Sequence, residues 1–211
     1  MYTFYKHSTT MKKGILLLYL LLFTICVSAQ TITTIAGNGL SGSMGDGGPA
    51  TAARINGAGG GAFDRHGNYY VVDVLGNSIR KVNSSGIIST VAGLSGSSGG
   101  YNGDNILATT AKLFTPDAVL VDSLDNIYIS DGGNFRIRKV NSNTGLITTI
   151  AGVGTSGYNG DNIPATDAQL GGIQDICMDN FGNLYIADYV NQRVRKINSL
   201  GIISTVAGGR I

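Results

Sequence analysis

Apolar positions along this chain fall into two regimes. From Gly14 to Val27 they run almost without polar interruption, and thereafter they come in short runs broken by Gly, Asn, Asp and Ser. The short runs recur. One phrase occurs four times, as Ile32-Thr-Thr-Ile-Ala-Gly37, Ile88-Ser-Thr-Val-Ala-Gly93, Ile147-Thr-Thr-Ile-Ala-Gly152 and Ile203-Ser-Thr-Val-Ala-Gly208, and its closing glycines are 56, 59 and 56 residues apart. Between these phrases a second block occurs three times, from Phe63, Val121 and Met178. Self-similarity at such a period marks a repeat architecture.

Each unit predicts four strands. The first ends at Asp64, Asp122 or Asp179. Gly67-Asn68, Asp125-Asn126 or Gly182-Asn183 then reverses the chain, because such pairs tolerate the left-handed backbone of a tight hairpin. The second strand is Tyr69 to Val72, Ile127 to Ser130 or Leu184 to Ala187, apolar at successive positions and therefore expected to be buried on both faces. The third lies around Ile79, Ile137 and Val194, and a turn at Gly86, Gly145 or Gly201 leads to the fourth, the Ile-x-Thr-Ile-Ala-Gly phrase. The fold class is all-β. A small antiparallel sheet repeated in tandem and apolar on both faces predicts a β-propeller of four-stranded blades rather than a β-solenoid, whose shorter coils lack two hairpins per repeat. The repeats run roughly over 38–93, 94–152 and 153–208, preceded by a surplus strand at 31–37.

Composition agrees with this pattern. All 13 acidic residues are Asp, and 32 Gly and no Trp accompany them. Asp and Gly favour turns over helix interiors. The long apolar run has Lys12 and Lys13 before it and Val27-Ser28-Ala29 after it, the layout of a secretory signal. Residues 1–29 are therefore expected to be a signal peptide cleaved after Ala29, with 30–211 the propeller segment. The run is shorter than the roughly 18–20 residues that span a bilayer, so no membrane span is expected in the mature chain. A secreted, periplasmic or cell-surface location follows. The leader holds Lys6, Lys12 and Lys13 and no acid, which leaves 12 basic and 13 acidic residues beyond it. A chain so near neutrality gives no electrostatic case for nucleic acid as a partner. Cys177, the only cysteine after Cys26 in the leader, falls in an apolar run where the other repeats carry Ala62 and Leu120, and reads as a small core residue.

The order Pro164-Ala-Thr-Asp-Ala-Gln-Leu170, Gly182-Asn183, Ala187-Asp188 and Arg193-Val-Arg-Lys196, closed by Ile203-Ser-Thr-Val-Ala-Gly208, resembles the NHL repeat in its bacterial secreted form. The first repeat departs most, with Val72-Asp73 for Ala-Asp and Ser78 for the first Arg. The resemblance implies a propeller, commonly six-bladed, used mostly for binding. Three blades do not close such a ring. Three readings follow: a chain that is part of a longer product, self-association of half-rings, or an open array of blades.

Strand directions put the long loops, about Leu40–Gly61, Leu94–Asp117 and Val153–Gln174, on one face with the strand-two to strand-three loops, and both hairpin turns on the other. Three recurring sets of residues carry candidate chemistry. Gly45-Asp46, Gly103-Asp104 and Gly160-Asp161 recur in every loop. They read as a device that caps the Pro-Ala-Thr-x-Ala turn or fixes the loop through its own backbone, rather than as a calcium rim, which gathers more carboxylates. Asp73/Asn77/Arg80, Asp131/Asn134/Arg138 and Asp188/Asn191/Arg195 read as a hydrogen-bonded set inside each blade. Tyr70, Tyr128 and Tyr185 read as packing between blades.

Specificity belongs where the repeats differ. Arg54, Lys112, Phe114, Asp117, Gln169, Gln174 and Asp175 are the ligand-binding candidates. No catalytic set, metal site or cofactor site can be assembled. There is no Glu, and the only His beyond the leader, His66, sits in a hairpin on the opposite face. The sequence thus predicts a non-enzymatic scaffold for a protein, peptide or glycan. The alternative is part of a larger propeller enzyme, lyase- or lactonase-like as some relatives of the family are, with its catalytic residues in further blades.

Overall fold

The computed structural model describes residues 31–209, so the expected signal peptide and its expected cleavage site lie outside the described residues. Three antiparallel sheets follow one another along the chain, and the surplus strand expected at 31–37 is not formed, because among the described residues no neighbouring strand pairs with it. The first contains β1 (Ala58–Phe63), β2 (Tyr69–Asp73), β3 (Ser78–Val82) and β4 (Ile88–Ala92) in that order. The second contains β5 (Ile106–Leu107), β6 (Val119–Val121), β7 (Ile127–Asp131), β8 (Arg136–Val140) and β9 (Leu146–Ala151), ordered β5-β9-β8-β7-β6. The third repeats that plan with β10 (Ile163–Pro164), β11 (Ile173–Met178), β12 (Leu184–Asp188), β13 (Arg193–Ile197) and β14 (Ile202–Gly208).

Both hairpins owe their shape to side chains as much as to glycine. In the strand-one turn, Gly67, Asp125 and Gly182 take positive φ of 78°, 63° and 79°. The preceding aspartate fixes each turn: Asp122 Oδ1 accepts from the Leu124 and Asn126 amides, and its Oδ2 accepts from Asn126 Nδ2 at 2.8 Å. The second turn uses an asparagine in the same way, with Asn198 Oδ1 accepting from the Leu200 and Ile202 amides, both at 3.0 Å.

The long loops are more ordered than expected. Each runs out to the far edge of the blade it precedes, and β5 and β10 pair there with β9 and β14, making those sheets five-stranded. In the first blade a single bridge, Pro49 to Ile87, holds the equivalent place. A three-residue 3-10 turn follows in each repeat, at Ala50–Ala52, Ala108–Thr110 and Ala165–Asp167. The chain then returns between two sheets to begin strand one. On this return Leu113 and Leu170 are fully buried. Leu113 joins a core that spans the first two sheets, with Tyr70, Val72 and Ile79 on one side and Val119, Ile127 and Ile129 on the other. Leu170 joins the next core, between Ile137 and Ala151 of the second sheet and Ile176, Leu184 and Ile186 of the third. First strands of successive sheets touch one another, so these strands form the converging inner edge.

Candidate functional site

The recurring aspartates and arginines build the frame beneath the long-loop face. Arg80, Arg138 and Arg195 are fully buried on strand three. Each stands between two carboxylates. From the end of strand two, Asp73, Asp131 and Asp188 approach at 3.5, 3.4 and 3.5 Å. From the long loop, Asp46, Asp104 and Asp161 approach at 2.5, 3.0 and 3.1 Å. The loop aspartate also binds the fourth strand: Thr149 Oγ1 donates to Asp104 and Thr205 Oγ1 to Asp161, both at 3.0 Å, and the Thr90 amide donates to Asp46. The Gly-Asp element therefore ties the loop to the sheet through side chains, and does not cap the 3-10 turn, which has no side-chain cap. A buried guanidinium explains the difference: it carries five donors, and loop carboxylates satisfy some of those the strand-two aspartate leaves over.

The strand-two aspartates anchor the chain's return as well, since Oδ1 accepts from the amides of Asn56, Phe114 and Gly171, each at 2.8 Å. Asn134 and Asn191 complete this set. Their Nδ2 groups donate to Asp131 and Asp188 and to the loop carbonyls of Gly100 and Gly157. Asn77 does not belong with them. It donates to Ser97 O and accepts from the Thr115 amide, both in the next loop, and shares its positive φ (51°) with Phe135 and Gln192. Gly76 takes the place of the asparagine, because Ser43 Oγ and the Asp73 carboxylate already occupy the space beside it.

The departure of the first repeat has a partner. Arg136 and Arg138 lie over the Tyr101 ring at 4.1 and 4.9 Å, and Arg193 and Arg195 over Tyr158 at 3.9 and 4.8 Å. Where Ser78 replaces the first arginine, Ser43 stands at the tyrosine's place. Tyr70 and Tyr128 lie in the joints as expected, whereas Tyr185 has no described sheet packed over it; the three hydroxyls also donate to the hairpin aspartates at 3.3, 3.1 and 3.2 Å. Cys177 is exposed rather than in a core, because among the described residues no sheet lies against that side of β11. His66 is on the hairpin face, within 3.3 Å of Asp125.

These carboxylates respond to pH in two ways. Burial alone would raise Asp122, but bonds from Asn126, Leu124 and Tyr128 outweigh it and hold it below the ordinary carboxylate range. Asp46 and Asp161 are likewise held low. The stability from such depressed groups is complete above about pH 4 and is lost as pH falls through their folded values. Thermal melts from about pH 5 down to about pH 2.5 are expected to show a falling Tm for the wild type. Asp122→Ala should start lower and fall less.

The variable residues divide by depth. Arg54, Lys112 and Gln169 occupy one repeat position on the returning chain, each just before the inward-facing residue, Ile55, Leu113 or Leu170. Arg54 is exposed, and Lys112 and Gln169 are half-buried; the amides of the latter two are held by Asn102 and Asn159. Phe114 lies further along, its half-exposed ring packed in the gap between Gly99 and Gly133. Asp117 and Gln174 share a position at the start of strand one, with Asp175 next to it. The structure thus brings Phe114 and Asp117 together beside the Gly132-Gly133 turn, both against that backbone. It sets Arg54 apart, on another loop, and leaves Gln174 and Asp175 exposed on the third sheet. Asp117 differs from the other carboxylates. Among the described residues no donor engages its side chain, and burial raises its pKa. Among the described residues there is no group of three or more His, Cys, Asp or Glu placed to hold a metal ion, and no helix long and apolar enough to cross a membrane.

Tandem four- and five-stranded antiparallel sheets with converging first strands define a β-propeller protein whose described sheets do not close a ring. The chain belongs to the NHL-repeat family. The family model described as "Teneurin NHL domain" matches residues 31–100. Teneurin-3 of Danio rerio is 33% identical over 179 residues, which is 78% of this chain and 6% of Teneurin-3. Among solved structures, a structural-genomics protein of unknown function from Bacteroides thetaiotaomicron is 25% identical with a TM-score of 0.61, over 80% of this chain and 40% of that one. A streptogramin B lyase shares the fold at 17% identity and a TM-score of 0.51, over 75% of this chain and 43% of the lyase. The chain therefore spans less than half the length of each of these proteins.

Proposed function

We propose that this chain is an exported binding scaffold that presents its long-loop face to a protein, peptide or glycan. Asp117 carries the reading. A half-buried carboxylate without a partner costs stability, and a fold that keeps one at its converging edge, beside a half-exposed aromatic ring, has the polar and apolar halves of a contact site. The recurring carboxylates on the same face are consumed by the buried arginines, which leaves the variable positions Lys112, Phe114 and Asp117 for a ligand. Gln174 and Asp175 extend this set on the third sheet, and Arg54 and Gln169 stand at the loop rim.

The test separates function from folding. Asp117→Asn removes the half-buried, unpartnered charge and keeps the shape, so it is expected to raise Tm at neutral pH while lowering binding to any hit from a glycan and peptide array. Phe114→Ala and Lys112→Ala should weaken the same hit, and Leu124→Ala in the opposite hairpin should not. A hit indifferent to all three long-loop changes would overturn the placement. The lyase likeness is one of fold, and an enzyme reading gains no set of residues from it.

A further inference from the structure

The two ends of the row of sheets differ from its joints, and they match one another. At each joint, one sheet offers a strand-one residue, a tyrosine, a small strand-two residue, an isoleucine and the alanine of the closing phrase. In the first sheet these are Ala62, Tyr70, Val72, Ile79 and Ala92, and Ile79 and Ala92 are fully buried. The third sheet carries the same series as Cys177, Tyr185, Ala187, Val194 and Ala207, yet Val194 is 38% exposed there and Cys177 and Ala207 are exposed. Two adjoining cavities of about 340 and 110 Å³ open on this face, both lined by Ala187 and Val194.

At the joints, the equivalent space is filled by the next loop's Ala-x-x-Ala-x-Leu segment and the sheet behind it. Ala108, Ala111 and Leu113 fill the first joint, with the Gly93 amide donating to Ala108 O at 2.9 Å. Ala165, Ala168 and Leu170 fill the second, with the Gly152 amide donating to Ala165 O, also at 2.9 Å.

The chain carries a third such segment, Ala50-Thr-Ala-Ala53-Arg-Ile55, beside Val82 and Ile88 on the side of the first sheet that no other sheet covers among the described residues. Ala36 packs against it, and the Gly37 amide donates to Ala50 O at 2.9 Å, the bond that Gly93 and Gly152 make at the joints. Ala36-Gly37 thus stands where the closing phrase of a preceding sheet would stand, and Ala207-Gly208 ends the same phrase. Further in, Tyr69 lies across Gly61 and against the exposed Phe63, with ring centroids 4.9 Å apart. The small Cys177 and Ala187 on one face answer these bulky rings on the other.

We propose that the third sheet of one copy docks head to tail on the first sheet of a second copy. Ala50, Ala53 and Ile55 of the second copy enter the cavity beside Ala187, Val194 and Ala207, and Ala207-Gly208 displaces Ala36-Gly37. The contact continues the interface that the chain already makes twice within itself. It is heterologous, so each copy offers both surfaces, and the assembly is a closed ring or a longer array. The docking does not depend on what the long-loop face binds.

The full chain, exported and purified under reducing conditions, is followed by sedimentation between about 1 and 100 µM, a range that reads out a Kd on the order of micromolar, and by the rate of Cys177 alkylation. The expected result is a mass of two or more copies, with Cys177 protected at least about tenfold. Val194→Glu, a change at an already exposed position, should give a folded monomer with the same circular dichroism and a reactive Cys177. Ile55→Asp, on the other surface, should do the same. A wild type that sediments as a monomer throughout with a freely reactive Cys177 overturns the proposal, as does an assembly whose mass Val194→Glu leaves unchanged.

Discussion

Replacing Arg138 by methionine is expected to lower the unfolding free energy by about 3–5 kcal/mol, the size seen when one partner of a buried ion pair is removed. The methionine fills much of the volume but supplies no donor. Asp131, also fully buried, loses its nearest cation, and Asp104 in the long loop loses its ion pair to the sheet. The Gly103 carbonyl and the Tyr101 ring lose their contacts as well. The pH dependence identifies the cause. Burial already pushes Asp131 up to about 6, against the lowering effects of Asn134, the Phe114 amide and Arg138. Without Arg138 it rises further. A carboxyl whose folded pKa is raised costs stability when ionised, so that cost is complete above the folded pKa and relieved as pH falls through it. The gap between variant and wild type should therefore narrow from about pH 8 to about pH 5, as read by urea unfolding at each pH. A gap that stays constant would mean that lost packing, and not the stranded carboxylate, sets the effect. Asp131→Asn in the same background should recover part of the loss at the alkaline end.

Local chemistry made much of this fold legible in the sequence. Asp64, Asp122 and Asp179 each precede a turn that they bond directly, so the hairpins could be read from a few adjacent residues. The burial of β2 and β7 followed from uninterrupted apolar positions. The pairing of Asp131 with Arg138 joins neighbouring strands across one hairpin, and was legible for the same reason. What was hidden depends on distant segments. Asp104 meets Arg138 across 34 residues, and nothing near either one reports it. The two-residue strands Ile106–Leu107 and Ile163–Pro164 are too short to show a period, and only the edge they reach makes them strands. Asn77 sits one residue out of step with Asn134 and Asn191, and equal residue types masked the offset. Cys177 is the plainest case. A strand's own pattern shows which side chains share a face, and says nothing about whether another sheet covers that face.

The same distinction between a strand and its neighbour sets the expected cost of cutting the returning chain. Leu170→Ala is expected to cost about 2–5 kcal/mol, the usual range for a buried leucine whose surroundings collapse only partly. Leu170 has no exposed surface, and the residues around it come from both sides of a joint: Ile137 and Ala151 from one sheet, Ile173, Ile186 and Ile203 from the other. Sheets that are each satisfied along their own backbone cannot easily slide to fill such a gap, so the cavity should persist and the loss should lie toward the upper half of that range. Ile55→Ala is the internal comparison. It removes a side chain at the same repeat position, but Ile55 is only half-buried and has the first sheet on one side of it. Its cost should be under about 1.5 kcal/mol in the monomer, since less area leaves water on folding. Chemical denaturation of the three proteins at a concentration below any self-association checks both values. Similar losses at the two positions would show that the leucine acts within its own blade, and that the joints between sheets contribute little to holding the row together.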